Sequence, residues 1–405
     1  MRIAPKSFAF TGLLGLFAAL PALSIDVSAP TLALLPEALG TSRTIAGLTL
    51  SLFMVGFALG QFGGGGLSDG RGRRPVLLSG LACFTAAGVA CALSLSGGVL
   101  ALSRLIQGFG AGACFVIAFA MVQDLFEGDA ARAKRSYVTV IFGAVPILAP
   151  AVGSMLTELF GWRSVHWVLA LAGGLLLVVT WIGVAESKLT SRAAAAQTGE
   201  AQTGEAETSR TGNEDMPPLW HDAGFVRITL ANALSYGAVF AYIAGSPVVI
   251  IGQMGLPSMV FAGVFASTAA ALAAGAWISG RLSHCGVSAI VLLDPSLIAA
   301  AAATLALAAI SLSGITSGAI LIPLLLAVLF TRGIIAPNLQ HLAIERQRER
   351  AGAASAAVGV SQLMAGALAS AVVAFLLQFF GLSAVAAVMA LFATGALVAW
   401  RWTVE

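Results

Sequence analysis

Twelve apolar stretches recur along this chain, and they limit what it can fold into more than any other feature. They are Phe8–Leu35, Ile45–Leu67, Val76–Leu95, Val99–Val122, Tyr137–Phe160, Val165–Val184, Phe225–Ile251, Met259–Ile278, Val287–Leu312, Gly318–Ile335, Ala351–Phe380 and Leu382–Trp402. Each is close to or above the roughly 20 residues a helix needs to cross about 30 Å of hydrocarbon. The chain is 59% hydrophobic and 10% charged, against roughly 45–50% and 25% for a soluble domain. No soluble fold hides that much apolar surface. The expectation is an all-α integral membrane protein with twelve transmembrane helices, the lipid bilayer being its first partner. Arg2 and Lys6 precede the first stretch as in a signal peptide, but that stretch is too long for one and is read as a span.

One polar segment interrupts the series. Residues 191–216 are rich in Ala, Gln, Thr, Gly and Glu, and 197–201 is repeated at 202–206. That is the composition of a linker. It implies a six-helix bundle over 1–185, a cytoplasmic linker over 186–222 and a second bundle over 223–405. An even split of this kind suggests two similar halves. With the N-terminus placed inside, seventeen of the 21 Lys and Arg residues fall on the cytoplasmic side, Arg43 and Arg163 fall outside, and Arg104 and Arg332 fall within spans. A miscounted span would invert half of that tally, so both termini are expected in the cytoplasm. The basic residues lie in short loops rather than in one patch, which gives no sign of nucleic-acid binding. The four Cys residues form no CxxC or Cys/His cluster and the four His residues are scattered, so neither a metal site, a cofactor nor an enzyme is expected.

Ionisable groups inside a membrane are costly and point to function. Asp26 falls in the first span about 14 Å below its outer end, and Arg104 about 9 Å below the outer end of the fourth, at 1.5 Å per residue. Burial disfavours a carboxylate's charge and a neighbouring arginine favours it. That balance can leave an acid able to take up and release a proton. Asp294 and Arg332 form a possible second pair in the inner half, although two separate structural groups fit as well, and Asp294 precedes Pro295 at a potential kink.

Several motifs sit on this frame. The loop after the second span reads Gly65-Gly66-Leu67-Ser68-Asp69-Gly70-Arg71-Gly72-Arg73-Arg74-Pro75. It resembles the cytoplasmic signature of the major facilitator superfamily, with Gly70 where an arginine is usual. Arg104-Leu105-Ile106-Gln107-Gly108 is similar to that superfamily's fourth-span motif. The run with Gly143, Pro146, Pro150 and Gly153 looks like its antiporter motif. Leu20-Pro21-Ala22-Leu23-Ser24-Ile25-Asp26 resembles the first span of the Bcr/CflA drug-resistance transporters, as do Ser51, Gly56, Gly60 and Gln61 in the second span, and Gly245-Ser246-Pro247 in the seventh.

The resemblance implies two six-helix bundles, alternating access, a monomer, and proton-coupled efflux of small amphiphilic drugs or toxic metabolites across the inner membrane. Asp26 would carry the proton and Arg104 would respond to its charge. Gly65, Asp69, Arg71, Arg73, Arg74, Gly143, Pro146, Pro150 and Gly153 would govern gating. Phe53, Phe57, Phe119, Tyr137, Asn232, Tyr236 and Tyr242 are candidate substrate contacts. Ala18 stands where some cation exporters carry a second acid, which favours a neutral or zwitterionic substrate. Proton-driven uptake and export of one endogenous metabolite are the competing readings.

Overall fold

The computed structural model describes residues 3–5, 7–187, 218–315 and 317–404. The polar segment 188–217, most of the expected linker, lies outside the described residues. Among the described residues, twelve helices are long and apolar enough to span a bilayer. They are α1 (Phe8–Ser28), α2 (Arg43–Arg71), α3 (Arg73–Ala92), α4 (Gly97–Leu125), α5 (Gly128–Phe160), α6 (Trp162–Gly183), α7 (Ala223–Pro247), α8 (Ser258–His284), α9 (Ala289–Leu312), α10 (Gly318–Arg346), α11 (Ala351–Phe380) and α12 (Leu382–Val404).

Small polar residues set the starts. Ser7, Ser42 and Ser96 accept from the third backbone N–H beyond them, and Asp222 accepts from Gly224 and Phe225. Each satisfies donors that a helix leaves unpaired at its N-terminus. The first span is shorter as an α-helix than its apolar run. Pro30 has no N–H to give, and the hydroxyl of Ser28 turns back onto the carbonyls of Ser24 and Ile25. The chain therefore tightens into a 3-10 turn over Ala29–Ala33. The fifth helix begins earlier than hydropathy suggests, at Gly128, because its first turns are helical but polar. The seventh continues past Pro247 as a wide turn over Val248–Gln253.

Glycine brings pairs of helices into near backbone contact. A Cβ on Gly56, Gly60, Gly108 or Gly112 would stand 2.0–2.2 Å from a carbonyl oxygen of the facing helix, α2 against α4. In the second half Gly275 and Gly333 do the same for α8 and α10. With little hydrophobic drive between helices in lipid, such close approach supplies the packing. The repetition of one device in α2/α4 and α8/α10 is the twofold relation of the halves in physical form.

The bundles meet along α2 with α11 and α5 with α8. Contacts between them lie from the middle to the end remote from the termini: Gly47 against Ala374, Gly366 against Met54, and Ser154 donating to the Ser258 carbonyl at 3.1 Å. Toward the termini, Gly352 and Gly359 of α11, Gly143 of α5 and Gly280 of α8 have nothing within 4 Å of where a side chain would begin. The groove between the bundles is closed at the far end and parted at the termini end. Trp181, Trp220, Trp277 and Trp402 are exposed near the termini end, where amphipathic rings suit a membrane–water interface.

Candidate proton and substrate site

Three residues of α1 organise the first half of the site. At 100° per residue, Ser24 and Ser28 share one face and Asp26 points to the other. Arg104 of α4 approaches the serine face. Its Nη2 donates to the Ser24 carbonyl and the Ser28 hydroxyl, both at 3.1 Å, and its Nη1 donates to Gln107 Oε1 at 2.7 Å. The guanidinium also lies 4.3 Å from the centre of the Phe53 ring, a cation–π contact. Behind it Cys91 Sγ sits 4.0 Å from Gln107 Oε1, and the buried His166 packs edge-on to Trp162. Hydropathy places His166 at a span end; the structure buries it beside Arg104.

Asp26 and Arg104 are thus neighbours in depth but do not pair. The arginine is held to the helix that carries the acid, by that helix's opposite face. Asp26 is 4% exposed and accepts no hydrogen bond from a described residue. A buried carboxylate with no donor is expensive when charged.

The second half repeats the device. Arg332 of α10 donates through Nη1 to Asn232 Oδ1 at 3.0 Å and to Ser235 Oγ at 3.3 Å, both on α7, and lies 5.7 Å from the Tyr236 ring centre. Helix α10 holds α7 as α4 holds α1. Asp294 and Arg332 are two separate groups rather than a pair. Asp294 of α9 accepts from the Trp400 indole N–H of α12 at 2.7 Å. It faces the α12 side of its helix, whereas Arg332 faces α7.

Tyr236 lies within electrostatic reach of both Asp26 and Arg332, and so joins the two halves. It packs on Phe240 at 4.6 Å and touches Gly366 of α11. Phe57, Phe115, Phe119 and Phe142 form a second aromatic group, with ring centres 5.1–5.8 Å apart. Among the other candidate contacts, Phe53 is fully buried beneath Arg104 and Asn232 beneath Arg332. Tyr242 is buried against α8, 3.2 Å from Thr268 Oγ1, on a different face of α7 from Tyr236. Tyr137 stands exposed near the start of α5. Phe53, Tyr242 and Tyr137 are not brought together with Tyr236, whereas Asn232 lies one turn before it on α7 and shares Arg332 with it.

The residues expected to govern gating separate into two places. Gly72, at φ +99°, turns the chain between α2 and α3. Arg73 then bridges Asp69 at 2.6 Å and Asp124 of α4 at 2.8 Å, and donates to Ser68 Oγ. The Glu186 carboxylate accepts from the backbone N–H groups of Arg73 and Arg74 at 2.8 and 3.0 Å, capping α3 from the end of α6. Arg74 also reaches the Trp181 carbonyl, Arg71 is exposed, and Gly65 faces Val116. Asp124 and Glu186 escaped the sequence reading: each is a single acid at a span end, and nothing in its spacing ties it to residue 73. In α5, a Cβ on Gly153 would fall 2.1 Å from the Val27 carbonyl, next to Asp26. Pro146 and Pro150 lie within the same helix, with Gly143 in the open groove.

The sequence profile of the Major Facilitator Superfamily matches residues 13–370. The chain belongs to that superfamily. Among its relatives, the uncharacterized MFS-type transporter YdgK of Bacillus subtilis (strain 168) is 29% identical over 90% of this chain and 88% of that protein. The chloramphenicol resistance protein of Pseudomonas aeruginosa is 30% identical over 67% of this chain and 61% of that protein. The multidrug resistance protein MdtL of Escherichia coli O139:H28 is 28% identical over 57% and 55%. The matches to the last two span less than two thirds of those proteins. The fold is that of the D-xylose-proton symporter, with a TM-score of 0.73, 16% identity and 97% of each chain covered. This superfamily member is therefore a multi-pass membrane transporter whose relatives include drug-resistance proteins.

Proposed function

We propose that the protein exports small amphiphilic molecules in exchange for protons, by alternating access, with Asp26 as the proton carrier. The observation that carries this is Asp26 itself: buried, without a donor, and on the α1 face turned away from Arg104. A proton is the simplest partner for such a carboxylate. Its loss puts a charge beside Tyr236, where the bundles meet, and its uptake removes that charge. Arg104 then acts through α1, coupling the helix that bears the acid to α4, rather than as a direct counter-ion.

Further support comes from the relatives named for chloramphenicol and multidrug resistance, from the Bcr/CflA-like first span, and from the basic residues at the termini end, which favour cytoplasmic termini in an inner-membrane protein. The groove is then open to the cytoplasm, the side from which a drug is taken. Phe57, Phe119 and Tyr236 are the proposed substrate walls, with aromatic faces and one hydroxyl. The absence of a second acid at Ala18 supports a neutral or zwitterionic substrate of phenicol size.

The test uses inverted vesicles carrying a pH gradient. Proton release on adding chloramphenicol-like compounds, present in wild type and lost in Asp26→Asn, is the expected result. Release by both proteins would move the proton elsewhere. No release with any of a broad panel of compounds would overturn drug export.

A further inference from the structure

A groove runs along α7 and α11 in the half of the molecule nearer the termini, with Trp220 at one end and Phe392 of α12 at the other. It faces the lipid rather than the space between the bundles. At 100° per residue, its α11 wall of Ser361, Met364 and Leu368 lies opposite Gly366, the position that touches Met54 and Tyr236. Leu230, Met364 and Leu368 are correspondingly exposed. From Ala357 to Leu368 the groove extends about 16 Å along α11, at 1.5 Å per residue. That is one leaflet's share of the roughly 30 Å hydrocarbon core. Its free space is about 520 Å³, more than three times the roughly 150 Å³ of a cavity that takes up benzene, so one acyl chain fits.

Two polar groups mark the end nearer the termini. The Thr229 hydroxyl lines the groove, is 7% exposed as a residue, and has no hydrogen-bond partner among the described residues. An unpaired hydroxyl between apolar walls is costly and calls for an acceptor. Arg227 stands exposed two residues earlier, about 3 Å nearer the termini. It donates to the Trp402 carbonyl and makes no ion pair with a described residue. The acid nearest to it along the chain, Asp222, is engaged by Arg346 and Gln347. The groove thus offers a cation, then a hydroxyl, then apolar walls. A neutral or zwitterionic drug has no use for the cation, whereas an anionic lipid presents phosphate, ester and hydrocarbon in that order.

We propose that this groove is a binding site for one anionic phospholipid of the leaflet nearer the termini, with its phosphate on Arg227, an ester carbonyl on the Thr229 hydroxyl and one acyl chain along α7 and α11 up to Phe392. The chain ties α11 to α7 over the stretch where α11 has parted from the first bundle. The site is independent of which compound is exported and of whether protons drive the export.

The test is thermal unfolding of the full-length protein in detergent, titrated with phosphatidylglycerol or with phosphatidylcholine of the same acyl chains. Binding to the folded state should raise the midpoint saturably, by about 2–4 °C. Phosphatidylglycerol should half-saturate the effect at about one fifth of the phosphatidylcholine concentration, the preference one arginine at a membrane surface confers. Arg227→Gln should abolish that preference, whereas Arg281→Gln, which removes an exposed arginine of α8, should keep it. Ala365→Phe fills the groove and should lose the response to both lipids. Thr229→Val, of nearly the same shape, should weaken both severalfold and keeps the test sound if the phenylalanine variant fails to fold. Equal half-saturation by the two lipids in wild type would overturn the proposal, as would an equal loss of preference in Arg281→Gln, which would reduce it to general surface charge. Unchanged responses in Ala365→Phe and Thr229→Val would place the lipid elsewhere. A midpoint raised by chloramphenicol but not by phosphatidylglycerol, and lost in Ala365→Phe, would overturn it by giving the groove to the exported compound.

Discussion

Arg104 Nη2 and the Ser28 hydroxyl stand 3.1 Å apart, with the Ser24 carbonyl at the same distance. Helix α1 is therefore gripped through residues about half a turn before and after Asp26, from the side opposite the acid. Under the proposed mechanism, a shift of α1 as Asp26 gains or loses a proton must carry α4 with it or break these bonds. Lysine has one ammonium and no planar fork, so it cannot serve Gln107, Ser24 and Ser28 together. Hydrogen bonds to a charged group contribute about 1.5–3 kcal/mol each. Arg104→Lys should insert and fold, yet exchange protons for drug at least about tenfold more slowly. Vesicle assays normalised to protein content would check this, and a wild-type rate would show that the grip plays no part in coupling.

The α5 motif makes a paired prediction. Gly153 lies against the Val27 carbonyl with no room for a Cβ, whereas Gly143 faces open space. Gly153→Val should drive α5 off α1 and lower the unfolding midpoint, an overpacking cost of about 1–3 kcal/mol. Gly143→Ala should leave it unchanged or slightly raised, since alanine is the better helix former. Similar midpoints for the two variants would show that α5 yields at Gly153 and that the motif does not set its contact with α1.

The span count and the bundle architecture were legible because hydropathy and length are local properties. Asp26, Arg104 and Arg332 stood out because charge inside a span is rare. Their partners did not. Whether Arg104 meets Asp26 or the serines on either side of it depends on the rotation of α1, which a nearly uniform apolar helix does not reveal. Asp294 was matched to Arg332 by depth alone, while the indole that binds it, Trp400, lies in a helix far along the chain. Phe53 and Tyr242 appeared as wall residues because aromatic side chains serve packing and binding equally, and only the fold shows which face of α2 or α7 they occupy.

Outside the membrane, Asp222 makes a pH prediction. It caps α7 and binds Arg346 and Gln347 at the end of α10. Partial burial disfavours its charge, but the hydrogen bonds from Arg346, the Phe225 backbone and Gln347 outweigh this and hold the carboxyl below the usual 3.8. A depressed value stabilises the fold at pH above 3.8, and the contribution is lost as the pH falls through the folded-state value. Asp222→Asn should therefore melt below wild type at pH 7, and the two curves should converge at acid pH. A constant gap between pH 7 and pH 3 would show that the carboxylate's charge is not what matters.

At the far end of the groove, α8 starts at Ser258, and the Ser258 hydroxyl donates to the Glu158 carboxylate of α5. Ser154 of α5 donates to the Ser258 carbonyl. An acid from one bundle thus sits at the N-terminus of a helix of the other, where unpaired N–H groups and the helix dipole favour it. Opening the far end separates these groups, so they form a latch specific to the closed state. Removing it with Ser258→Ala and Glu158→Gln together forfeits about 1–3 kcal/mol, which shifts the closed–open equilibrium about fivefold or more. A single cysteine at Leu34, which borders the same crevice, reports the shift if the four native cysteines are replaced. Its labelling by a membrane-impermeant maleimide should speed up by that factor. Unchanged labelling would place the closure on the apolar contacts instead, with Gly47 against Ala374 as the next pair to alter.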